Sequence, residues 1–70
     1  MLPLNYAQAG EEQIIKKLGG SQVVRQHLQD LGFNVGERVM IISALGGNII
    51  VKVKDTRVAV SSELASRIMI

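Results

Sequence analysis

The spacing of apolar and polar residues along the chain predicts several short strands and one clear helix. Runs rich in valine, isoleucine and leucine are separated by glycines or short polar stretches, which is typical of strands joined by tight turns. In chain order, the predicted elements are a strand or arm over residues 1–6, a strand over 13–18, a helix over 21–31, a three-strand meander over 37–45, 48–54 and 57–60, a helical turn over 62–67 and a last strand over 68–70.

The segment over residues 21–31 has the pattern of an amphipathic helix with a defined end. Its apolar stripe, at positions i, i+4 and i+7, consists of Val24, Leu28 and Leu31. Ser21 is a favourable N-cap because its hydroxyl can accept a hydrogen bond from a free backbone N–H. Gly32 suits the left-handed position after the helix, from which Phe33 could pack against Leu28.

A glycine pair, Gly46-Gly47, predicts a hairpin between the first two strands of the meander. With a two-residue loop, one face of this hairpin would be entirely apolar. That face would consist of Met40, Ile42, Ala44, Ile49, Val51 and Val53. A one-residue slip would place lysines opposite these side chains, which disfavours the alternative register.

A second two-residue turn, at Asp55-Thr56, would place Arg57 opposite Lys54, with Lys52 beside them. Lys52, Lys54 and Arg57 would then form a basic patch on the outer face of the meander. Such a patch can steer and hold an acidic partner. It can equally be a set of solvated charges that discourages pairing at a strand edge.

Many short strands in a chain of 70 residues predict a small, strongly bent barrel. Closing the sheet would hide edges that otherwise invite aggregation. The predicted fold class is therefore mainly β, with one short helix and a helical turn. No repeat or linker interrupts the pattern, so we assign residues 1–70 to one domain.

The amino-acid composition excludes several kinds of functional site, whereas it says less about the fold. Apolar residues make up 47% of the chain, enough for one core. The absence of cysteine excludes disulfides, thiolate metal sites and cysteine nucleophiles, and two aromatic residues leave little for stacking on bases. Eight basic and six acidic residues are mixed along the sequence. With no apolar run of transmembrane length and no signal peptide pattern, we expect a soluble cytoplasmic protein.

The single histidine, His27, could bind a metal only together with carboxylates. Asp30 follows it by three residues and could share its face of the helix. One imidazole with carboxylates at no recognised spacing is a weak match to known metal sites, so a surface histidine is the other interpretation. No nucleophile and base occur in a recognisable pattern. We therefore predict no catalytic residue, no metal ligand and no cofactor.

Five segments together carry a family pattern. They are Leu2-Pro3-Leu4, Gly10, residues 14–20, VVRQHLQDLGFNVGERVMII at 23–42 and IIVKVKDTRVAVSSELASRIMI at 49–70. The most distinctive part is Leu-Gly-x-x-x-Gly-x-x-Val over residues 31–39. In this order, the segments resemble the FeoA family, small accessory proteins of bacterial ferrous iron uptake. Two positions depart from the family pattern: Asn34 stands where proline is frequent, and Ser61 where arginine is common.

The resemblance implies a small SH3-like barrel that acts in the cytoplasm and is not an enzyme. It implies one partner, the cytosolic part of the membrane ferrous iron transporter FeoB, through which the protein would lie at the inner membrane. Transition metal ion binding is implied by the family alone. The residues that we expect to contact the partner are Lys52, Lys54, Arg57, Arg25 and Gln29.

Two other functions stay open at this point. A metal-sensing SH3-like domain, of the type found in iron-dependent repressors, would give a metal signal that depends on His27. A nucleic-acid-binding SH3-like barrel would bind RNA with a steep dependence on salt. Sparse aromatic residues and mixed charges argue against the second, so we expect no nucleic acid partner. We also expect no membrane insertion, and weak association between copies of the chain is left open.

Overall fold

Six short strands and two helices build the fold in a computed structural model that describes residues 1–70. A turn of 3₁₀ helix over Leu4–Tyr6 precedes them. Neither helix is long and apolar enough to cross a bilayer. In chain order, the elements are β1 (Glu12–Ile14), β2 (Lys17–Leu18), α1 (Gln22–Asp30), β3 (Arg38–Leu45), β4 (Asn48–Val53), β5 (Thr56–Ser61), α2 (Ser62–Ala65) and β6 (Ile68–Met69).

The strands form two antiparallel sheets around one apolar core. One sheet has the strand order β1-β3-β4-β5, and in the other β2 pairs with β6. The mainly β fold with one helix and a helical turn, predicted from the sequence, is confirmed. The core contains 14 buried side chains, all apolar: Leu4, Ile15, Leu18, Leu28, Phe33, Val39, Ile41, Ile49, Val51, Val53, Val60, Ala65, Ile68 and Ile70.

The predicted single strand over residues 13–18 is wrong, because its two halves belong to different sheets. The Ile15 N–H donates to the Glu37 carbonyl, just before β3, at 2.9 Å. The next residue, Lys16, donates its N–H to the Met69 carbonyl in β6 at 2.7 Å. The chain thus changes its pairing partner between two consecutive residues. This bend between β1 and β2 lets both sheets share one core.

Helix α1 begins and ends as the sequence predicts. The Ser21 hydroxyl accepts a hydrogen bond from the Val24 N–H at 3.3 Å. At the other end, Gly32 has φ of 105°, and the Phe33 N–H donates to the Leu28 carbonyl at 2.9 Å, as in a Schellman cap. Phe33 and Leu28 are both fully buried. The cap therefore also fixes the end of the helix to the core.

A β-bulge between Ile41 and Ser43 decides which side of β3 faces the core. Near the glycine turn the register is the predicted one, but beyond the bulge Ile41 lies opposite Val51. Ile41 is consequently buried, whereas Met40 and Ile42 are half-buried on the other face. The predicted apolar face of β3 is therefore wrong beyond the bulge. Without the extra residue, Val39 and Ile41 would lie opposite Lys54 and Lys52. With it, they lie opposite Val53 and Val51 on the core side.

The second hairpin turns one residue earlier than predicted. Its loop is Lys54-Asp55, and Lys54 adopts a left-handed backbone with φ of 55°. Arg57 therefore lies opposite Lys52, and the predicted pairing of Arg57 with Lys54 is wrong. Val58 and Val60 face the core side of β4 in both registers, because the shift moves their partners by two residues, to Val51 and Ile49.

Residues 4–6 form a 3₁₀ turn, so the predicted strand or arm over residues 1–6 is wrong for its second half, whereas Leu2 and Pro3 pair with the C-terminal end. Pro3 forms one isolated bridge with Met69. Leu2 and Ile70 exchange two backbone hydrogen bonds of 2.9 and 2.8 Å. The two ends of the chain are thereby held side by side, next to the sheet formed by β2 and β6.

Helix α2 follows β5 without a linker. The Ser61 hydroxyl accepts a hydrogen bond from the Leu64 N–H at 3.0 Å, which confirms the predicted N-cap. The helix ends at Ala65, two residues before the predicted end. Ala65 and Ile68 are both fully buried, so this turn anchors the chain as it passes from the first sheet into the second.

Replacing Gly32 with alanine should destabilise the fold, because Gly32 has φ of 105°. A Cβ at this position would make only an ordinary contact, 3.7 Å from Val53 Cγ1. The cost therefore comes from the backbone conformation and should be about 1 kcal/mol or more. Urea unfolding followed by circular dichroism would measure it.

Gly47→Ala is the matched control, because Gly47 lies outside the left-handed region and an added Cβ would meet no atom within 4 Å. Its free energy of unfolding should change by less than about 0.5 kcal/mol. Equal unfolding midpoints for the two variants would show that the left-handed cap does not stabilise the protein.

Candidate partner-binding face

A row of four side chains crosses the outer surface of the four-stranded sheet. Glu12 in β1 lies opposite Met40 in β3. Met40 lies opposite Lys52 in β4, which in turn lies opposite Arg57 in β5. Directly opposite residues of antiparallel strands share one face, and here it is the face turned away from the core. These four residues (Glu12, Met40, Lys52 and Arg57) are called the outer row below.

Two exposed ion pairs hold the acidic groups near the outer row. The Arg38 guanidinium lies 3.7 Å from the Glu12 carboxylate, and the Lys54 ammonium lies 3.7 Å from the Glu37 carboxylate. Exposed pairs of this kind contribute from about 0 to 1 kcal/mol to stability. Their main effect is to neutralise the Glu12 and Glu37 carboxylates, because each already lies next to a cation.

Lys52 and Arg57 are exposed cations that face each other without an acidic partner. No aspartate or glutamate occurs in β4 or β5. Like charges in directly opposite positions of a sheet are destabilising, by roughly 0.2 to 1 kcal/mol. An anionic group placed between them would relieve this repulsion. The pair is therefore suited to hold a carboxylate of a partner.

A groove of about 440 Å³ runs along the same face. Its charged lining consists of Lys52, Lys54, Arg38, Glu12, Glu37 and Asp55. Met40 and Val39 supply the apolar part of the lining. The groove combines charges of both signs with two apolar side chains and is open to solvent, which suits a polar protein contact better than a buried small molecule.

The structure brings three of the five predicted contact residues to one region. Lys52 and Arg57 are cross-strand neighbours, and Lys54 lies in the adjoining turn beside the groove. Arg25 and Gln29 are exposed on α1, away from the groove lining. The Arg25 guanidinium donates to the Gly20 carbonyl at 2.7 Å, which holds it at the start of the helix. The two sets therefore belong to separate surfaces.

The surroundings of His27 do not fit the transition metal site that the family resemblance implies. His27 is exposed on α1 near Asp30. The Asp30 carboxylate accepts a hydrogen bond from the Gln26 amide at 2.9 Å. No three side chains of histidine, cysteine, aspartate or glutamate cluster closely enough to hold an ion. Structural and catalytic zinc sites take three or four protein ligands, and His27 with Asp30 supplies two.

Several members of this face were missed in the sequence. Glu12, Glu37, Arg38 and Met40 were not recognised as neighbours of Lys52, because the expected register of β3 placed Met40 inside the core. Alternation along β3 alone does not identify them, because the bulge decides whether Val39 or Met40 points inward. If Val39 points inward, Arg38 and Met40 must point outward.

The chain matches the model of the FeoA domain over residues 2–70. The chain belongs to the FeoA family. It is similar to a Methanocaldococcus jannaschii protein assigned as Fe(2+) transport protein A, with 34% identity over 70 residues. This match covers 100% of the present chain and 85% of that protein. The family resemblance predicted from the sequence is confirmed.

Solved structures of FeoA proteins have the same fold. A crystal structure of an iron uptake regulatory protein, FeoA, superimposes with a TM-score of 0.87 at 28% identity, covering 96% of the present chain and 89% of that one. The zinc complex of Stenotrophomonas maltophilia FeoA, described as a prokaryotic SH3 domain protein, gives a TM-score of 0.81 at 22% identity, covering 94% and 85%. The predicted SH3-like fold is confirmed.

Replacing Lys52 with glutamate should stabilise this FeoA-family protein, because a repulsive cross-strand pair becomes an attractive one. The expected gain in the free energy of unfolding is about 0.5 to 1 kcal/mol at low salt. Lys52→Gln, which removes the repulsion without adding attraction, should give a smaller gain. Thermal and urea unfolding at low ionic strength would measure both.

High salt provides the internal control, because the differences among the three proteins should shrink at about 1 M salt, where the Debye length is about 3 Å. If Lys52→Glu is no more stable than wild type at low salt, Lys52 and Arg57 do not repel each other in the folded state.

Proposed function

We propose that this chain is a non-enzymatic accessory protein of ferrous iron uptake. Membership of the FeoA family supports this role, as does similarity along its whole length to a protein assigned to Fe(2+) transport. Iron is then the cargo of the system that the protein serves. The protein itself acts through a protein contact and not by binding the ion.

The partner in this proposal is the cytosolic part of the membrane transporter FeoB. The observation that carries the proposal is the exposed, unmatched pair Lys52 and Arg57 on the outer row. Two adjacent cations attract an acidic surface at long range and favour its contact at short range. Binding would place the protein on the cytoplasmic side of the inner membrane, held there by the transporter.

The hydroxyl groups of Ser21 and Ser61 have structural roles as helix caps, which supports a non-enzymatic function. The Ser21 hydroxyl caps α1, and the Ser61 hydroxyl caps α2. Each accepts a hydrogen bond from a backbone N–H, as N-cap residues do. His27 lies on the exposed face of α1 rather than beside either serine cap.

The exposed part of α1 forms a second proposed contact. Arg25 is held by its hydrogen bond to the Gly20 carbonyl, so its charge has a defined position. Gln29 is exposed one turn further along the helix. Because this surface is separate from the outer row, the two contacts can be tested independently.

Titration of the protein with the purified cytosolic domain of FeoB, by calorimetry or surface plasmon resonance, should give saturable binding. The double variant Lys52→Glu/Arg57→Glu should lose affinity by about tenfold or more, since two attractive charges become repulsive. The effect should diminish with salt. A second variant, Arg25→Ala/Gln29→Ala, reports whether α1 also contributes.

Lys16→Glu/Lys17→Glu is the matched control, because it changes net charge equally at exposed positions outside the outer row. It should bind within about threefold of wild type if the contact is local. No binding by the wild-type protein at tens of micromolar, together with normal iron uptake in a strain lacking it, would overturn the proposal.

A further inference from the structure

Strand β5 is an open edge of the four-stranded sheet. The strand order β1-β3-β4-β5 ends with it, so β5 pairs with β4 on one side alone. It is six residues long and contains neither proline nor glycine. An edge strand of this kind presents unpaired backbone N–H and C=O groups to which a further strand can bind.

The register identifies which backbone groups point outward. The two-residue turn makes Val53 and Thr56 a hydrogen-bonded pair, and the bonding alternates along β5 from there. The N–H and C=O groups of Arg57 and Ala59 therefore point away from β4. Neither residue takes part in a turn, loop or cap hydrogen bond. Together they can exchange four backbone hydrogen bonds with an added antiparallel strand.

The side chains of β5 indicate which types of residue the added strand should contain. Its residue opposite Arg57 would lie on the outer face, beside the unmatched cations Lys52 and Arg57. Its residue opposite Val58 would lie on the core side, where Val58 is half-buried. A strand that alternates acidic and apolar residues matches both faces.

We propose that β5 binds an extended acidic segment of a partner protein by β-strand addition. This inference rests on the proposed function, since it describes how the partner is held. Charge complementarity favours an acidic segment over a second copy of this chain. A second copy would bring another β5, which has no carboxylate to offer to Lys52 and Arg57.

The probe is a short, end-capped synthetic peptide that alternates valine and glutamate, added to the intact protein. Amide hydrogen exchange followed by NMR should slow by about tenfold or more at Arg57 and Ala59 when the peptide saturates. A peptide with lysine in place of glutamate should bind more weakly. Arg57→Glu should weaken the glutamate peptide by about fivefold and reverse the preference between the two peptides.

Two methylated peptides separate strand addition from simple charge attraction. The glutamates opposite Arg57 and Ala59 would direct their N–H groups at β5, so N-methylation at glutamate should abolish binding. N-methylation at valine, whose N–H points away, should leave most of it. Neither peptide alters the protein, so the comparison does not depend on a variant that folds.

Four outcomes would overturn the proposal. Protection of Arg57 and Ala59 that appears without peptide and rises with protein concentration would identify a second copy as the occupant. Equal binding of the two methylated peptides would indicate charge attraction alone. If the FeoB domain binds but leaves the hydrogen exchange at Arg57 and Ala59 unchanged, the proposed function stands and strand addition is wrong. If neither the FeoB domain nor the peptide binds, the proposed function and strand addition are both wrong.

Discussion

The β-bulge between Ile41 and Ser43 is the constraint on which the rest of the structure depends. A barrel of this size has one core, and each strand must direct the same alternate residues toward it. The glycine turn and the core require different alternations along β3, and one extra residue reconciles them. Because side chains alternate between faces, the choice of Ile41 for the core places Met40 on the outer surface. The position of the bulge thus determines both the core and the outer row.

The outer face is charged because the core contains apolar side chains only. No polar or charged residue is buried, so all ionic groups lie at the surface. Two carboxylates there are matched by Arg38 and Lys54, which leaves Lys52 and Arg57 as neighbours of like charge. Such a pair costs the isolated protein some stability and attracts anions. The same two side chains therefore link the energetics of the sheet to the proposed contact with a partner.

Membership of the FeoA family and the local chemistry both support the proposal that the protein acts by contact with a partner. The Ser21 and Ser61 hydroxyls cap helices, and the single histidine lies near one carboxylate, Asp30, on the exposed side of α1. What the fold does provide is a small barrel with a charged face, whose edge strand β5 is paired on one side only. An SH3-like barrel of this kind offers main-chain hydrogen bonds and side-chain charge along one edge, and both are features that an extended segment of another protein can use.

Local chemistry was sufficient to predict the helix with both of its ends, the two helix caps, the glycine turn and the family, since each depends on residues close together in sequence. Ser21, Gly32 and Ser61 act within a few residues of themselves. The register of β3, the position of the second turn and the division of residues 13–18 between two sheets were decided by tertiary structure. The register of β3 and the division of residues 13–18 depend on which residues the core can bury, and that is a property of the whole barrel. The position of the second turn instead sets which side chains face each other across β4 and β5. The sequence by itself therefore determined that Lys52, Lys54 and Arg57 are close along the chain, and the folded sheet alone decided that Lys52 faces Arg57 while Lys54 pairs with Glu37.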